Sequence, residues 1–313
     1  MVTPSPIRWP DGKTFAFTVF DDPDSQTLAG GQAVYGLLEE LGLRTTKGIW
    51  PVRGPREPSD HGGTCAEADY AAWAQRLQRA GFEIGLHNVT LHTSTREETE
   101  AGLARFAELF GGPPKTFAHH YYCQENLYWG EGRLSGWRRS LYNVLTRGSG
   151  KNHFFGHVEG HPYFWGDLCR DQITYVRNFV FPGINTLRES PLFPYHDPAR
   201  PYVRYWYGSS EGSNCSRACV TLSEANQDQL EAENGACILY THFGHGYWDG
   251  KTVNPRFREL ITRLSRKGGW FVPVGTLLDY MIAQRGGPHT ITDAERAALE
   301  RRWLWHKIRY GTA

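Results

Sequence analysis

The chain has 313 residues, of which 40% are hydrophobic and 21% are charged, and its formal net charge is +1. This composition suits a globular protein with a sizeable core, organised as one large domain or two ordinary ones. The near-neutral charge argues against a nucleic-acid partner. No run of about 18 apolar residues occurs, so the sequence predicts no transmembrane helix.

The N-terminal stretch and the cysteines bear on location. Residues 1–10 contain no charged segment followed by an apolar run, so no signal peptide is predicted. The six cysteines are scattered, and Cys215 and Cys219 have no matching pair that would complete a four-ligand zinc site. We therefore expect free thiols rather than disulfides, and we predict a cytoplasmic location.

The first predicted element is a buried strand, residues 14–20, that runs directly into Asp21 and Asp22. Adjacent carboxylates repel each other, so the pair needs a cation or an uneven division of one proton. An alternative interpretation is a simple turn with a helix N-cap, because Asp and Pro favour such positions. On this stretch alone the two interpretations are evenly matched.

Strands and helices then alternate through the first 120 or so residues. Apolar spacing predicts helices over 25–42, 67–80 and 95–110, the last with a capping box at Thr95 and Glu98. Strands are predicted over 44–52 and 82–86. This alternation predicts a parallel sheet, either open or closed into a barrel.

The region 130–212 is rich in Trp, Tyr, Arg and Gly, and only residues 175–181 and 202–207 are predicted to be strands, joined by long loops. The alternation then returns, with further predicted helices over 221–233 and 254–267 and strands over 236–241 and 270–274. The tail 292–309 is charged and amphipathic. We predict a main domain over 1–285, with an insertion at about 125–212, and a helical tail over 286–313 that packs on the domain or on a second subunit.

Three predicted strands end in side chains that can bind a metal: Asp21 and Asp22, then His87 with His92 five residues later, then His242. In a parallel sheet all three ends lie on one face. One carboxylate with two imidazoles is a common ligand set for a catalytic divalent metal. The remaining carboxylate could serve as a base and another histidine as an acid. A single histidine at a strand end is more often a hydrogen-bonding residue than a ligand, and only the joint pattern favours the functional interpretation.

Three segments carry a resemblance to a known family: Phe17-Thr-Val-Phe-Asp-Asp22, Glu83-Ile-Gly-Leu-His-Asn-Val-Thr-Leu-His92 and Ile238-Leu-Tyr-Thr-His242. In order and spread the chain resembles the polysaccharide deacetylases (carbohydrate esterase family 4) over residues 14–280. The resemblance implies a distorted (β/α)7-type barrel of parallel strands with insertions.

The same resemblance implies a role for each motif residue. Asp21 would be the base, and Asp22, His87 and His92 would bind the metal. His242 would be the general acid. The implied metal is zinc, with cobalt, nickel or manganese able to replace it.

The chain also departs from the family pattern. The two metal-binding histidines are normally four residues apart, with Ser or Thr after the first, whereas here they are five apart and Asn88 follows. The family's third motif contains an arginine that orients the catalytic Asp, and Ala118-His-His-Tyr121 stands in its place. His119 or His120 could replace that arginine or add a ligand. The fourth motif is not recognisable, and the candidate substitutes are Asp167, Arg170 and Arg177.

The function expected from this pattern is metal-dependent hydrolysis of an N-acetyl group on a sugar, in a glycan or a glycan precursor. Substrate-binding candidates are His119, His120, Tyr121, Asp167, Arg170 and Arg177. Two alternatives stay open: a hydrolase of another amide or of an acetyl ester, and a non-catalytic carbohydrate-binding homologue. The expected partner is a carbohydrate substrate, and a homo-oligomer is compatible with the tail.

Overall fold

In a computed structural model, which describes residues 7–58 and 60–311, the chain forms a closed barrel of parallel strands. The described residues form ten strands: β1 (Phe15–Asp22), β2 (Thr46–Ile49), β3 (Glu83–Leu86), β4 (Thr116–Phe117), β5 (Tyr175–Phe181), β6 (Tyr195–His196), β7 (Tyr205–Ser210), β8 (Ala236–His242), β9 (Gly269–Phe271) and β10 (His289–Thr290). The signal-peptide prediction rests partly on residues 1–6, and the predicted tail includes 312–313. Both stretches lie outside the described residues.

Seven of the strands close the barrel in the order β1, β2, β3, β4, β5, β7 and β8, and each neighbouring pair is parallel. The closing contact between β7 and β8 places Ser210 opposite Leu239. Strand β9 pairs with the start of β1, β6 lies antiparallel to β7, and β10 pairs in parallel with β6. The predicted distorted (β/α)7 barrel with insertions is confirmed. Because the strands are parallel, their carboxyl ends all open onto one end of the barrel.

The helices pack their apolar side chains into the same core as the strands, as the periodicity predicts. They are α1 (Leu28–Glu40), α2 (Ala68–Arg79), α3 (Arg96–Phe110), α4 (Trp137–Leu145), α5 (Gly166–Gln172), α6 (Thr186–Glu189), α7 (Cys215–Thr221), α8 (Glu224–Ala232), α9 (Pro255–Ser265), α10 (Val274–Gln284) and α11 (Asp293–Tyr310). The predicted capping box of α3 is confirmed, with Thr95 and Glu98 bonding reciprocally to each other's backbone amides.

Two regions differ from the sequence-based expectation. The single helix expected over 221–233 is two helices, α7 and α8, because Ser223 between them adopts an extended backbone with φ −53° and ψ 155°. The loops expected within 130–212 contain α4, α5 and α6. Helices α5 and α6 span only 7 and 4 residues, which is too short for a 3.6-residue apolar repeat to stand out.

Helix α11, at the C-terminal end, packs on the barrel through Trp303, whose side chain is fully buried. Its indole lies 4.9 Å from the ring of Phe179 on β5 and 5.9 Å from the ring of Tyr142 on α4. Glu300, also buried, accepts hydrogen bonds from Ser135 and Arg138. Helix α11 therefore packs against β5 and α4.

All six cysteines are free thiols, as the sequence predicts. Among residues 7–58 and 60–311, no helix has the length and apolarity needed to cross a bilayer.

His157, in the segment between α4 and α5, should make the free energy of unfolding depend on pH. Nδ1 of His157 accepts a hydrogen bond from the backbone N–H of Tyr128 at 3.1 Å, so that nitrogen must be unprotonated in the folded state. Burial, followed by the charges of Arg200 and Arg139, lowers the pKa of His157 to about 4. An unfolded histidine titrates near pH ~6.5, so the unfolded chain binds more protons between these values. The contribution of His157 to the free energy of unfolding is complete above pH ~6.5 and is lost as the pH falls toward ~4.

We expect His157→Asn to remove at most about 3 kcal/mol of the acid-induced loss in unfolding free energy between pH ~6.5 and ~4. Asn can keep the bond, because its side-chain oxygen can accept from the Tyr128 amide. Urea titrations of both proteins across this pH range measure the difference. Parallel pH profiles for wild type and variant would contradict the prediction.

Candidate metal centre

Five side chains meet where the barrel strands end. Asp22 is the last residue of β1 and Asp24 lies two residues beyond it; His87 directly follows β3, His120 follows β4, and His242 is the last residue of β8. The side chains of Asp22, Asp24, His87 and His120 are almost completely buried, and that of His242 is 12% exposed. The fold thus gathers two carboxylates and three imidazoles at the end of the barrel where ligands bind in such folds.

Asp24 contacts two of the imidazoles. Nε2 of His87 lies 3.1 Å from Oδ2 of Asp24, and Nε2 of His120 lies 3.4 Å from Oδ1. One ligand atom from each of the three residues lies within 4.8 Å of the other two. The indole of Trp50 covers both rings, with centroid distances of 5.8 Å to His87 and 5.2 Å to His120.

The hydrogen bonding of this trio suits a cation. Oδ2 of Asp24 and both ring nitrogens of His87 are buried, yet none of them makes a hydrogen bond of normal geometry with the described residues, although Nε2 of His87 and Oδ2 of Asp24 lie 3.1 Å apart. Buried polar atoms are normally paired, so a convergent set without partners requires another explanation. One carboxylate oxygen and two imidazole nitrogens are the donor set that zinc and related divalent ions prefer. The residues present therefore fit a metal ion.

The pKa shifts within the trio keep the Asp24 carboxylate ionised. Burial by itself would raise the pKa of Asp24, but the charge of His87 and the hydrogen bond with His120 hold that pKa well below its usual value. Burial would lower the pKa of His120, and the hydrogen bond and charge of Asp24 outweigh it and raise that pKa. Asp24 is thus held as the anion.

Asp22 lies in the same cluster but has a different partner. Arg177, on β5, donates from Nη1 to Oδ1 at 2.9 Å and from Nη2 to Oδ2 at 2.6 Å, which makes a two-pronged pair. Burial would lower the pKa of Arg177, and the charge of Asp22 outweighs it and raises that pKa. The guanidinium also lies 4.4 Å from the ring of Tyr240. Arg177 therefore fixes the orientation of Asp22.

His242 is oriented through one nitrogen. Its Nδ1 lies 2.6 Å from the carbonyl oxygen of Ser213, so that nitrogen carries the proton and donates. Its Nε2 faces the cluster, 3.8 Å from an oxygen of Asp22 and 3.8 Å from an oxygen of Asp24. The backbone thereby fixes the tautomer, and Nε2 lies on the side of the site, 3.4 Å from the Tyr240 hydroxyl.

Asp21, the predicted base, does not join this cluster. Its Oδ2 lies 3.0 Å from Nζ of Lys47, an ion pair in which both side chains are fully buried. Tyr35 also donates to Oδ2, and the backbone N–H of Phe243 donates to Oδ1 at 2.7 Å. Burial raises the pKa of Asp21, although the charge of Lys47 opposes this. The structure therefore places Asp21 in a structural ion pair outside the cleft.

His92, a predicted ligand, is also placed apart from the cluster. Its Nδ1 lies 2.8 Å from the carbonyl oxygen of Thr93, and its Nε2 accepts from the backbone N–H of Arg56 at 3.3 Å. Both ring nitrogens are thus engaged in local hydrogen bonds. The structure brings Asp22, His87 and His242 together as the sequence predicts, and it leaves Asp21 and His92 outside.

The remaining predicted site residues separate into two groups. His119, Tyr121 and Arg177 line a cleft of about 270 Å³ above the cluster, and His120 belongs to the metal-binding trio. Burial, with the charges of Arg177 and Arg133, lowers the pKa of His119 well below its usual value, and its Nε2 accepts from the Leu127 amide.

Asp167 and Arg170 belong to the second group, because neither lines the cleft. Asp167 forms a two-pronged pair with Arg96 at 2.7 and 2.8 Å, and Arg170 pairs with its neighbour Asp171 at 2.8 Å. Both pairs lie on the surface, where ion pairs contribute little to the free energy of unfolding.

Asp24 is not among the site residues predicted from the sequence, although a signal was present. Consecutive side chains of a strand point to opposite faces, so Asp21 and Asp22 do not face one site together, and Asp24 is the next carboxylate after β1. Asn88 explains how His120 joins the site. It adopts φ +51°, and its side chain accepts from the His120 amide at 2.8 Å and donates to Glu125 at 2.7 Å. The residue that departs from the family pattern thus anchors the loop carrying His120.

Comparison with solved structures agrees with this architecture. A candidate polysaccharide deacetylase from Mycobacterium smegmatis superposes with a TM-score of 0.53 at 16% identity, over 93% of this chain and 99% of that chain. An allantoinase, PuuE, gives a TM-score of 0.48 at 12% identity over 88% and 92% of the two chains. A candidate polysaccharide deacetylase from Pseudomonas aeruginosa PAO1 gives 0.46 at 11% identity over 88% and 93%. No family model matches the sequence, and no curated protein matches it significantly.

The fold and the site define a barrel protein with a candidate metal centre at the carboxyl ends of its strands. More particularly, the chain has the fold of the polysaccharide deacetylases. The resemblance seen in the three sequence motifs is thus confirmed at the level of the fold.

Proposed function

We propose that this protein is a metal-dependent hydrolase that removes an N-acetyl group from a sugar. One observation carries the proposal: Asp24, His87 and His120 converge, and Oδ2 of Asp24 and the ring nitrogens of His87 make no hydrogen bond of normal geometry with the described residues. Beside them, Asp22 is held by Arg177. A buried cluster with these orphaned atoms has a structural cost that a bound ion would offset.

The proposed ligands are Asp24, His87 and His120, and zinc is the proposed metal. A second grouping, Asp22, Asp24 and His242, also places one ligand atom from each residue within 4.8 Å. The first grouping is preferred because both oxygens of Asp22 already accept hydrogen bonds from Arg177. The roles proposed here differ from those implied by the sequence motifs, with Asp24 in place of Asp22 and His120 in place of His92.

A divalent ion in this trio would polarise the acetyl carbonyl and increase the acidity of a water molecule at its open position. Asp22 is the proposed base, because each of its oxygens retains a lone pair beyond the one used by Arg177. Arg177 holds that carboxylate toward the cleft, so the base is already oriented before the substrate binds.

His242 is the proposed acid for the departing amine. Its Nδ1–H donates to Ser213, which leaves Nε2 as the atom that can carry and deliver a proton. Nε2 lies 3.8 Å from an oxygen of Asp22, so the proposed base and acid face the same small volume. Proton transfer by two groups poised on one site is the expected arrangement for amide hydrolysis.

The proposal of a sugar substrate rests on the aromatic rim of the cleft. Tyr121 is 69% exposed and its ring packs edge-on against Tyr122, with 4.4 Å between centroids. Such amphipathic rings suit the apolar face of a sugar. A substrate within surface-glycan metabolism remains a prediction of the sequence. The cytoplasmic location is also a prediction of the sequence, and fractionation of cells that express a tagged chain would test it.

The direct test is to purify the protein, measure its metal content, and follow acetate release from N-acetylated sugars. We expect about one divalent ion per chain, loss of turnover on treatment with a chelator, and recovery on adding zinc. Turnover of an O-acetyl ester or another amide without acetate release from N-acetyl sugars would move the reaction to the alternative hydrolase class. A protein that binds sugars but neither metal nor any of these substrates would be the non-catalytic homologue.

A further inference from the structure

The 3-10 helix Gly130–Arg133 places a buried arginine on the wall of the cleft. Arg133 is only 4% exposed, and its Nε and Nη1 have no hydrogen-bond partner among the described residues. Its guanidinium lies between two indoles, 4.2 Å from the ring of Trp129 and 4.5 Å from that of Trp303. The stacking supports the charge but leaves N–H groups without acceptors.

Nothing in the described part of the chain neutralises Arg133. Burial lowers its pKa; the Tyr142 phenol interacts with it and raises that pKa, and the charge of Arg177 lowers it further. No carboxylate of residues 7–58 and 60–311 forms an ion pair with it, whereas Arg177 in the same cleft has Asp22. A buried guanidinium without an anion is costly, so its retention in a cleft indicates an anionic ligand.

A second cation lines the same wall. Lys307 projects from α11 into the cleft and lies 5.5 Å from the ring of Trp303, the indole that also stacks on Arg133. Its pKa is lowered to about 8 by burial and by the charge of Arg133, while Glu211 opposes this. The cleft therefore has an acidic floor, at Asp22 and Asp24, and a basic wall, at Arg133 and Lys307.

We propose that Arg133, assisted by Lys307, binds an anionic group of the substrate, a carboxylate or a phosphate, within the cleft that contains the metal centre. The reaction on that substrate rests on the proposed function, whereas the anion subsite does not. The planar fork of arginine matches both groups, and its aromatic stacking pre-orders it. Arg133 is thus a specificity-determining residue, which selects acidic sugars or sugar phosphates over neutral ones.

The test measures equilibrium binding to the zinc-loaded protein by calorimetry. The probes are inorganic phosphate, N-acetylglucosamine, its 6-phosphate and its 6-carboxylate (the uronic acid). We expect an anionic sugar to bind about 10- to 100-fold more tightly than the neutral one, as for hydrogen bonds to a charged partner. Comparing the affinity for the 6-phosphate with that for the 6-carboxylate shows which anionic group the subsite prefers.

The variant Arg133→Met should remove this preference while keeping an apolar side chain between the two indoles. Arg133→Lys keeps the charge without the fork and should retain part of it. The matched control is Arg301→Met, which removes an exposed positive charge from α11 and should leave the preference unchanged. Thermal melting of the variants confirms folding, and removing an unpaired buried charge is expected to leave the melting temperature unchanged or higher.

The outcomes separate the two proposals. Binding of phosphate or an anionic sugar that depends on Arg133, with no acetate release, would support the anion subsite and contradict the deacetylase. Acetate release from neutral sugars, with no anionic probe binding in an Arg133-dependent manner, would do the reverse. Direct binding of phosphate to zinc would persist in Arg133→Met, so only the Arg133-dependent part supports the subsite.

Discussion

Replacing Asp22 by Asn is expected to reduce kcat for acetate release by about 10³-fold while zinc remains bound, since a positioned base contributes about 10²- to 10⁴-fold. Asn keeps the shape of the side chain but cannot take a proton from water. Because Asp22 is paired with Arg177 rather than placed in the trio, zinc affinity should change little. Steady-state kinetics with metal analysis of the same sample checks both parts.

The control is the neighbouring carboxylate. In Asp21→Asn, the fully buried Lys47 loses its anionic partner, so the unfolding free energy should fall by about 3 kcal/mol or more. The rate per folded molecule should stay close to that of wild type. Combining Asp21→Asn with Lys47→Met should recover much of the lost stability, because the buried charge is then absent.

This pair of variants decides between the two assignments of the base. If Asp21→Asn abolishes turnover in folded protein while Asp22→Asn keeps it, the role implied by the sequence motif is correct and the role proposed from the structure is wrong. Denaturant titration must accompany the kinetics, since loss of folded protein would imitate loss of the base.

The second large effect is expected at the metal. Asp24→Ala should weaken zinc binding by more than about 100-fold, since altering groups one layer outside the ligands already costs about 10- to 100-fold. Asp24 contacts both His87 and His120, so its loss opens the trio. Competition with a chromogenic chelator measures the affinity without reference to turnover.

His92→Gln is the matched control for the metal. His92 already uses both ring nitrogens in local hydrogen bonds, and Gln can donate and accept in their place. Zinc affinity should therefore remain within a few-fold of wild type. If His92→Gln weakened zinc binding as much as Asp24→Ala does, His92 would be a ligand and the proposed trio would be wrong.

Arg177 pairs with Asp22 from a strand, whereas the family pattern has its arginine in a turn. The arginine expected in the turn before Tyr121 is absent, and Arg177 on β5 reaches the carboxylate instead. Strand β5 pairs with β4, which leads into that turn, so the two positions are neighbours across the sheet. Under the proposed function, Arg177 orients Asp22 from this neighbouring strand.

Much of the fold was determined by the sequence alone. Apolar runs that end in polar residues mark β1, β3 and β8, and the helical repeats between them set a parallel arrangement. Parallel strands open their carboxyl ends on one side, which brought Asp22, His87 and His242 into one predicted site. These are local or nearly local signals, and they do not require knowledge of which strands are neighbours.

The roles within the site were decided only by the tertiary structure. Consecutive residues of a strand point to opposite faces, but the sequence does not state which face lines the barrel. Closure of the barrel turned Asp22 toward Arg177 and Asp21 toward Lys47, although both carboxylates belong to one strand. His120 and Arg133 acquire their neighbours from strands and helices distant in sequence, and no local pattern carries that information.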